Sequence, residues 1–255
     1  MSGHNKWSSI KHKKGAADAK RGKVFSRVAK EITLAAREGG GDPNSNARLR
    51  SAVSEGRANN MPLDNIERAI KKGTGELEGG PIEELSYEGY AAGGVAVIVH
   101  CVSDNRNRTA AEVRSIFTRH SCNMAASGAV ARMFQRKARF LVKGAAANEE
   151  KLVELLLDKG ADVEDVKVAD GVAEIMAPAE AFAQVSNALH EGGIPVAESA
   201  LIMVPLTPTL VSDPSIARQV LRFIELLEDH DDVQQVYSNV DIPDALIEKL
   251  AAEPA

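Results

Sequence analysis

Apolar residues in the first part of the chain recur at steps of three and four, a spacing that is typical of amphipathic helices. The first such pattern predicts a helix from about Ala16 to Glu38, and three glycines at 39–41 then end it. Its apolar stripe consists of Val24, Phe25, Val28, Ile32 and Ala35. The basic row on another face of the helix consists of Lys20, Lys23, Arg27, Lys30 and Arg37.

Two further helices are predicted from their end signals. Asp42 and Pro43 have the residue types of an N-cap and a first helical position, so a second helix is expected to begin there and to end near Asn59. Pro62 opens a third helix, which stops at Gly73. Since helices of this length bury their apolar stripes only against one another, the three segments are expected to form a small bundle.

After a glycine-rich acidic linker the pattern changes to the alternation of strands. Residues 84–90 and 95–102 are predicted as two strands around a glycine pair. A capping box from Thr109 to Glu112 opens a helix, and 129–134 is expected as a further strand. This segment therefore predicts a sheet with at least one helix packed on it.

Residues 138–204 follow the order βαββαβ, which is the order of a ferredoxin-like unit. A tight hairpin at Asp170 and Gly171 joins its two middle strands. The predicted strands are 138–143, 162–168, 172–177 and 196–204, and the predicted helices are 148–159 and 178–190.

These elements predict an α+β fold, in which an N-terminal three-helix domain precedes two α/β domains. A helix at 213–228 and a strand at 233–238 are too short to fold alone, so we expect them to complete the sheet begun at 84–134. The ferredoxin-like unit is then inserted into the middle domain. The expected domains are 1–78 (basic, helical), 79–136 with 206–242 (discontinuous α/β), 137–205 (ferredoxin-like) and 243–255 (a C-terminal tail).

Charge is distributed unevenly along the chain. Residues 1–72 contain 16 Lys and Arg against 7 Asp and Glu, a net charge of +9, whereas the remainder contains 15 against 29, a net charge of −14. Such an asymmetry favours a basic module that meets a polyanion, and it confines any nucleic-acid contact to one part of the molecule. The alternative, that the basic segment only aids solubility, stays open.

The candidate nucleic-acid-binding residues lie in a basic arm at 1–14, in the first helix and in the loop 104–109. Their cations would neutralise phosphates, and Trp7 would stack on a base unless it packs on the bundle. The loop adjoins a predicted helix N-terminus, which favours anions, although it also has the residues of a structural turn. The complete set is His4, Lys6, Trp7, Lys11, His12, Lys13, Lys14, Lys20, Arg21, Lys23, Arg27, Lys30, Arg106 and Arg108.

No other chemistry is indicated by the sequence. His100 and Cys101 are neighbours on a predicted strand, so their side chains point to opposite faces and cannot share a metal ion. The acidic run 228–232 lacks the spacing of a calcium loop and is interpreted as a solvated turn. Phosphate-binding loops, dinucleotide fingerprints and serine elbows are missing, so we expect neither an enzyme nor a cofactor or metal.

The composition also limits where the protein works. With only two cysteines a disulfide framework is excluded, and no apolar run approaches the length of a membrane span. The first residues lack the apolar stretch of a secretory signal. We therefore expect a reduced, cytoplasmic protein, with a monomer favoured.

Several strings of residues resemble the YebC/PmpR family, and the resemblance runs from the first residues to about Asp241. They are GHNKW at 3–7, DAKRGK at 18–23, AAREGGGDP at 35–43, NMPLDNIERAI at 60–70, YEGY at 87–90, GGVA at 93–96 and DNRNRT at 104–109. One loop departs from the family: HSCNMA at 120–125 stands where the family usually has HGGNLG, and lost glycines restrict positive φ.

This resemblance implies three domains and a bacterial cytoplasmic protein described as a probable DNA-binding transcriptional regulator. It also implies kinship with the mitochondrial translational activator of cytochrome c oxidase, and some family members associate with ribosomes. We therefore expect a non-enzymatic regulator that binds DNA through its basic N-terminal part. The alternatives are a ribosome-associated translation factor that binds ribosomal RNA, and an α/β scaffold that senses a small ligand.

Overall fold

The computed structural model describes residues 17–78, 80 and 82–252, with side chains from residue 22 onward. The chain folds into two compact units. Of the described residues, one contains 17–27, Gly80–Gln135 and 204–252. The other contains Val28–Gly79 and Arg136–Met203.

The helices and strands follow one another in a mixed order. The helices are α1 (Ala17–Gly39), α2 (Ala47–Ala58), α3 (Leu63–Thr74), α4 (Arg106–Arg119), α5 (Glu149–Asp158), α6 (Phe182–Glu191), α7 (Pro214–Glu228) and α8 (Asp244–Ala252). The strands are β1 (Glu83–Tyr90), β2 (Ala96–Ser103), β3 (Asn123–Ala125), β4 (Phe134–Lys143), β5 (Asp165–Ala169), β6 (Val172–Pro178), β7 (Val196–Pro205), β8 (Thr209–Leu210), β9 (Val233–Ser238) and β10 (Val240–Asp241). The fold is α+β, as the sequence predicts, and none of the described helices is long and apolar enough to cross a membrane.

The start of the second helix differs from the prediction. Helix α2 begins at Ala47, and its N-cap is Asn46, whose side chain accepts a hydrogen bond from the Leu49 amide. The side-chain amide of Asn46 also donates to the carbonyl of Ala35, which lies in α1. Because one buried side chain serves two helices, it takes the capping position, and Asp42 instead closes the preceding turn by accepting from the Asn44 amide.

The third helix continues past the glycine that was expected to stop it. Helix α3 ends at Thr74, and Gly75 follows in the left-handed conformation with φ of 82°. Gly73 is buried inside the last turn, where an added Cβ would lie 2.4 Å from the carbonyl oxygen of Thr33. Gly73 therefore lets α3 approach α1 closely.

The first sheet has the strand order β3-β1-β2-β9 and is antiparallel. Helices α4 and α7 cover one face, with Val113, Phe117 and Phe223 among the buried side chains. Two expectations fail here: 131–133 is a short 3-10 turn rather than part of a strand, and β3 at 123–125 is a strand that the pattern did not predict. Only three residues long, β3 offers too little alternation to be recognised.

The prediction that a capping box at 109–112 opens the next helix is also wrong. Helix α4 begins at Arg106, and the Asn105 side chain caps it by accepting from the Arg108 amide at 3.1 Å. Thr109 is fully buried in the first turn, where its hydroxyl contacts Ser103 and Asp232. Threonine is a common N-cap residue, but the contacts of Thr109 with Ser103 and Asp232 place it inside the helix.

The second sheet has the order β5-β6-β4-β7, which is the order of a ferredoxin-like βαββαβ unit. Alternate residues of β4 and β6 are buried under α5 and α6, with Phe140 and Ile175 at the centre. The hairpin between β5 and β6 turns at Asp170 and Gly171, which have φ of 51° and 72°. Positive φ at both positions is the geometry of a two-residue hairpin turn.

Most of the segment 243–252 is helical. Within 243–255, residues 244–252 form α8, whose Ile247 and Leu250 are buried in the core of the first sheet. The short strands β8 and β10 pair in parallel just before it. A nine-residue helix with two buried side chains gives a weak periodic signal, which explains why the sequence did not predict it.

Candidate nucleic-acid interface

Most of the predicted binding residues lie outside the part of the chain whose side chains the structure describes. These residues are His4, Lys6, Trp7, Lys11, His12, Lys13, Lys14, Lys20 and Arg21. Their part in nucleic-acid binding remains a prediction from the sequence. The geometry can be followed for Lys23, Arg27, Lys30, Arg106 and Arg108.

Three cations of the basic row on α1, Lys23, Arg27 and Lys30, have contacts within the protein. Lys23 is exposed, and its Nζ donates a hydrogen bond to the carbonyl oxygen of Asp229 at 2.8 Å. Arg27 and Lys30 are half-buried, and neither is without a partner. Exposed Lys23 keeps further N–H groups that a phosphate could accept from, whereas Arg27 and Lys30 are less accessible.

A second group of cations faces solvent on the helical bundle. Arg68, Lys71 and Lys72 lie at steps of three and one on the exposed side of α3, opposite buried Ile66 and Ala69. Arg37 is exposed in the last turn of α1. We call these four residues the basic patch: Arg37, Arg68, Lys71 and Lys72. None of them forms an ion pair with another residue that the structure describes.

The ends of α1 and α3 are held together by small residues, which brings the basic patch into one region. An added Cβ at Gly41 would lie 2.8 Å from Cγ2 of Thr74. One at Gly73 would lie 3.1 Å from the amide nitrogen of Arg37. Arg68, Lys71 and Lys72 are not among the residues predicted to bind, although their run on the polar side of the third helix is a signal in the sequence. Cations in a last helical turn also stabilise the helix dipole, which is the structural alternative to a binding role.

Two other arginines of the bundle, Arg48 and Arg50, form ion pairs or hydrogen bonds within the protein. Arg48 pairs with Glu31 and Glu38 at 2.7 Å each. Arg50 donates to Ser186 and Asn187 of α6 at 3.0 and 2.7 Å, and burial lowers the pKa of its guanidinium. Because of these contacts, Arg48 and Arg50 do not belong to the basic patch.

The two arginines of the loop 104–109 differ: Arg108 is paired with carboxylates, and Arg106 is exposed. Arg108 donates to Asp232 at 2.8 Å and to Asp104 at 3.0 Å, and the hydrogen bond and charge of Asp232 raise the pKa of Arg108. This geometry supports the interpretation of Arg108 as part of a structural turn. Arg106, in contrast, is exposed at the first position of α4, where it can meet an anion.

The acidic run 228–232 is only partly a solvated turn, which corrects the sequence interpretation. The Asp232 side chain is 3% exposed, and its Oδ2 accepts hydrogen bonds from Ser103, Arg108 and Thr109. Asp229 and Asp231 are exposed as expected. Partners from β2 and α4 that bury Asp232 are more than 120 residues away in the chain, so the local pattern gives no sign of them.

Asp232 also lies beside His230 and Glu112, a group whose ligand atoms all fall within 4.8 Å of one another. Nδ1 of His230 accepts the Asp232 amide at 3.1 Å, so its Nε2 faces Glu112 as the protonated nitrogen at 2.8 Å. A metal-binding histidine instead donates its second N–H outward and binds the ion with the bare nitrogen. Since Asp232 is already occupied by three donors, this group fits a structural network better than a metal site.

Two family models together match most of the chain. Residues 5–76 match the family model of the TACO1/YebC protein N-terminal domain, and residues 82–240 match the model of the TACO1/YebC second and third domain. A "probable transcriptional regulatory protein" from Geobacter sulfurreducens is 53% identical over 98% of this chain and 100% of its own length. One of the same description from Syntrophobacter fumaroxidans is 51% identical over 98% and 100%.

A solved structure is similar over nearly the same length. The crystal structure of a conserved hypothetical protein from Aquifex aeolicus matches with a TM-score of 0.79 and 45% sequence identity. The match covers 92% of this chain and 96% of the Aquifex chain.

Proposed function

The chain belongs to the TACO1/YebC family, and from this premise we propose that it is a nucleic-acid-binding regulator of gene expression that acts without catalysis, with DNA as its ligand. Its relatives carry the description of probable transcriptional regulatory proteins, which supports a regulatory role. The observation that carries the proposal is the basic patch: four exposed cations on one bundle without a carboxylate partner among the described residues.

Cations in this arrangement suit the phosphate backbone rather than the base edges. Arg68, Lys71 and Lys72 share α3 with the exposed carboxylates Asp64 and Glu67. Carboxylates on the same helix would be repelled inside a DNA groove, so insertion of α3 as a recognition helix is disfavoured. Recognition of shape and backbone is therefore the mode we propose, with Arg106 and the N-terminal arm as further contacts.

The test is the affinity of the full chain for a labelled 20-base-pair DNA duplex, measured by fluorescence anisotropy. Replacing Arg68→Gln, Lys71→Gln and Lys72→Gln together should weaken binding about 10- to 100-fold at low salt, because up to three phosphate contacts are lost. Each lost contact should also reduce by roughly one the slope of the logarithm of the affinity against the logarithm of the salt concentration. The matched control replaces Lys143→Gln, Lys151→Gln and Lys249→Gln, three exposed lysines elsewhere with the same change in charge. Equal losses in the two variants would show that the basic patch has no special part.

Ribosomal RNA is the second candidate ligand, because shape and backbone recognition without a recognition helix suits an RNA helix as well as DNA. The absence of a groove-reading face on α3 is the observation that favours it. The same titration with a ribosomal RNA hairpin decides between the two. Binding to the hairpin at least tenfold tighter than to the duplex would assign the protein to translation instead of transcription, provided that the triple substitution of Arg68, Lys71 and Lys72 weakens it.

A further inference from the structure

The first turn of α4 carries positive charge at the end of the helix that favours negative charge. It contains Arg106 and Arg108 and no acidic residue. A helix N-terminus has partial positive charge on its free amide groups, so cations there are repelled and an anion is needed to compensate them. Arg108 has such an anion in Asp232, at 2.8 Å. Arg106 has no carboxylate partner among the residues that the structure describes.

A second arginine lies on the same side of α4. Arg106, Ala110 and Arg114 follow one another at steps of four, and each step turns the helix by only about 40° beyond a full turn. The two arginines are about 12 Å apart along the helix axis, a distance that their long side chains can bridge. Arg114 is exposed like Arg106, and it forms no ion pair within the described part of the chain.

Tyr87 of β1 adds a hydroxyl group to this row. Its ring packs against the core of the first sheet, and its Oη is buried without a hydrogen-bond partner among the described residues. A buried hydroxyl in this situation has lost its water and gained no replacement. Burial raises the pKa of the Tyr87 hydroxyl, and the positive charges of Arg106 and Arg114 act against this rise. Both guanidinium groups therefore lie near the same hydroxyl.

The surroundings of Tyr87 leave room for an anion. Strand β3 pairs with β1 over Glu88–Tyr90, so in the described chain the edge of β1 beside Tyr87 is not covered by a strand. Asp232 also acts on the Tyr87 hydroxyl and raises its pKa. Its buried carboxylate already accepts three hydrogen bonds, however, so it is not a partner for the two exposed arginines.

We propose that Tyr87, Arg106 and Arg114 form a phosphate-binding site for the backbone of a nucleic acid, separate from the basic patch. The inference rests on the proposed function. Guanidinium groups bind phosphate oxygens through paired N–H donors, and the tyrosine hydroxyl supplies one donor more. The site belongs to the compact unit that contains Gly80–Gln135, whereas the basic patch belongs to the unit that contains Val28–Gly79. Small phosphate esters share this chemistry, and the experiments below distinguish them from nucleic acid.

Replacing Arg106→Gln and Arg114→Gln together tests the site in the full chain. Affinity for the labelled 20-base-pair duplex should fall about five- to tenfold at low salt, and the slope against the logarithm of the salt concentration should be reduced by about two. The matched control replaces Arg119→Gln and Arg132→Gln, two exposed arginines of the same compact unit with the same change in charge. The control should lose less than about twofold. Equal losses in the two double variants would overturn the proposal.

The hydroxyl is tested by Tyr87→Phe, which keeps the ring and its packing. Since the hydroxyl has no partner among the described residues, the free energy of unfolding should not decrease. Affinity for the duplex should nevertheless fall about two- to fivefold, because one donor to phosphate is lost. A purely structural role would lower stability and leave affinity unchanged, and that result would contradict the site.

Nuclear magnetic resonance reports on the site directly. The chain has three tyrosines, so labelling their Cζ atoms with carbon-13 gives three signals, and Tyr87→Phe identifies one of them. The Tyr87 signal should shift to saturation as duplex is added, and this shift should be absent from the Arg106→Gln, Arg114→Gln variant. Inorganic phosphate at about 10 mM and matched ionic strength should leave the signal in place. Saturation by phosphate alone would identify a site for small phosphate esters and overturn the assignment to nucleic acid.

The failure of this inference is distinguishable from the failure of the proposed function. If substitutions in the basic patch weaken binding but the pair Arg106 and Arg114 behaves like its control, the inference alone is overturned. If the pair weakens binding and the basic patch behaves like its own control, the site stands without the patch. A chain that binds neither the duplex nor the ribosomal RNA hairpin would overturn both.

Discussion

Glu88 is a buried carboxylate whose three hydrogen-bond donors all come from one loop. It is 5% exposed on β1, and it accepts from the amides of Gly128, Val130 and Ala131 at 2.6 to 2.8 Å. Burial opposes its ionisation, but the three amides together outweigh burial and lower the pKa of the carboxyl below the usual value of 4.5. Glu88 thereby fastens the loop 126–131 to the sheet.

Replacing Glu88→Gln should destabilise the fold by about 1–3 kcal/mol at pH 7, because an amide offers one oxygen to three donors and turns its own N–H₂ toward them. A lowered folded-state pKa gives stability that is present above the usual pKa and lost as the pH falls through the folded value. The cost of the substitution should therefore diminish below pH 4.5. Urea unfolding at pH 7 and at pH 3.5 measures both effects.

The control for this prediction is Glu83→Gln, at an exposed position of the same strand. Its free energy of unfolding should follow that of the wild-type chain within about 0.5 kcal/mol at both pH values. If Glu88→Gln behaves in the same way, the loop is held by its backbone and apolar contacts alone.

Ser121 shows how a departure from the family pattern is accommodated. It has φ of 54°, in the left-handed region, where the resemblance expects the first glycine of the loop 120–125. Such a conformation costs a non-glycine residue of order 1 kcal/mol. The neighbouring Cys122 is buried, and burial raises the pKa of its thiol. Of the residues 120–125, only Ser121 needs positive φ, so the other lost glycines are tolerated without backbone strain.

At the scale of elements, close packing of α3 on α1 depends on a residue without a side chain. Helix propensity alone favours Gly73→Ala by about 1 kcal/mol. The new methyl group would, however, lie 2.4 Å from the Thr33 carbonyl and 2.7 Å from Cβ of Ala36, and the first of these is backbone that cannot move aside. We expect the steric term to prevail and the free energy of unfolding to fall by about 1–3 kcal/mol.

The matching control is Gly22→Ala, also within a helix but with no atom inside 4 Å of the added Cβ. Here propensity acts alone, and the free energy of unfolding should rise by about 0.5–1 kcal/mol. Urea unfolding of the two variants measures this difference in sign. A stabilised Gly73→Ala variant would mean that α3 shifts along α1 at little cost.

Elements with strong local signals were predictable from the sequence, and those decided by distant partners were not. The alternation around Phe140 and Ile175 and the pair Asp170-Gly171 gave the ferredoxin-like sheet with its hairpin. The start of α2 was misplaced because Asn46 caps it through contacts with α1. The candidate site followed the same rule: net charge pointed to the basic segment, but which lysines are free depends on tertiary partners.

At the scale of the whole molecule, the proposed function places a local cationic surface on an acidic protein. The chain has a net charge of −5, while its first 72 residues carry +9. A uniformly acidic body is repelled by nucleic acid, whereas a local surface binds it within a Debye length of about 10 Å at 0.1 M salt. The acidic remainder then limits binding to the segments that bear the cations.

A uniformly acidic protein and a protein with a local cationic surface should respond to salt in opposite ways. For a uniformly acidic protein, salt screens the repulsion, so affinity for DNA would rise with ionic strength. For about six local phosphate contacts, counterion release makes the logarithm of the affinity fall with the logarithm of the salt concentration, with a slope near −5. Anisotropy titrations of the wild-type chain between 50 and 200 mM salt measure the slope. A slope of zero or above would contradict the electrostatic mechanism, because in that case the cations of the bundle would serve only its helix ends.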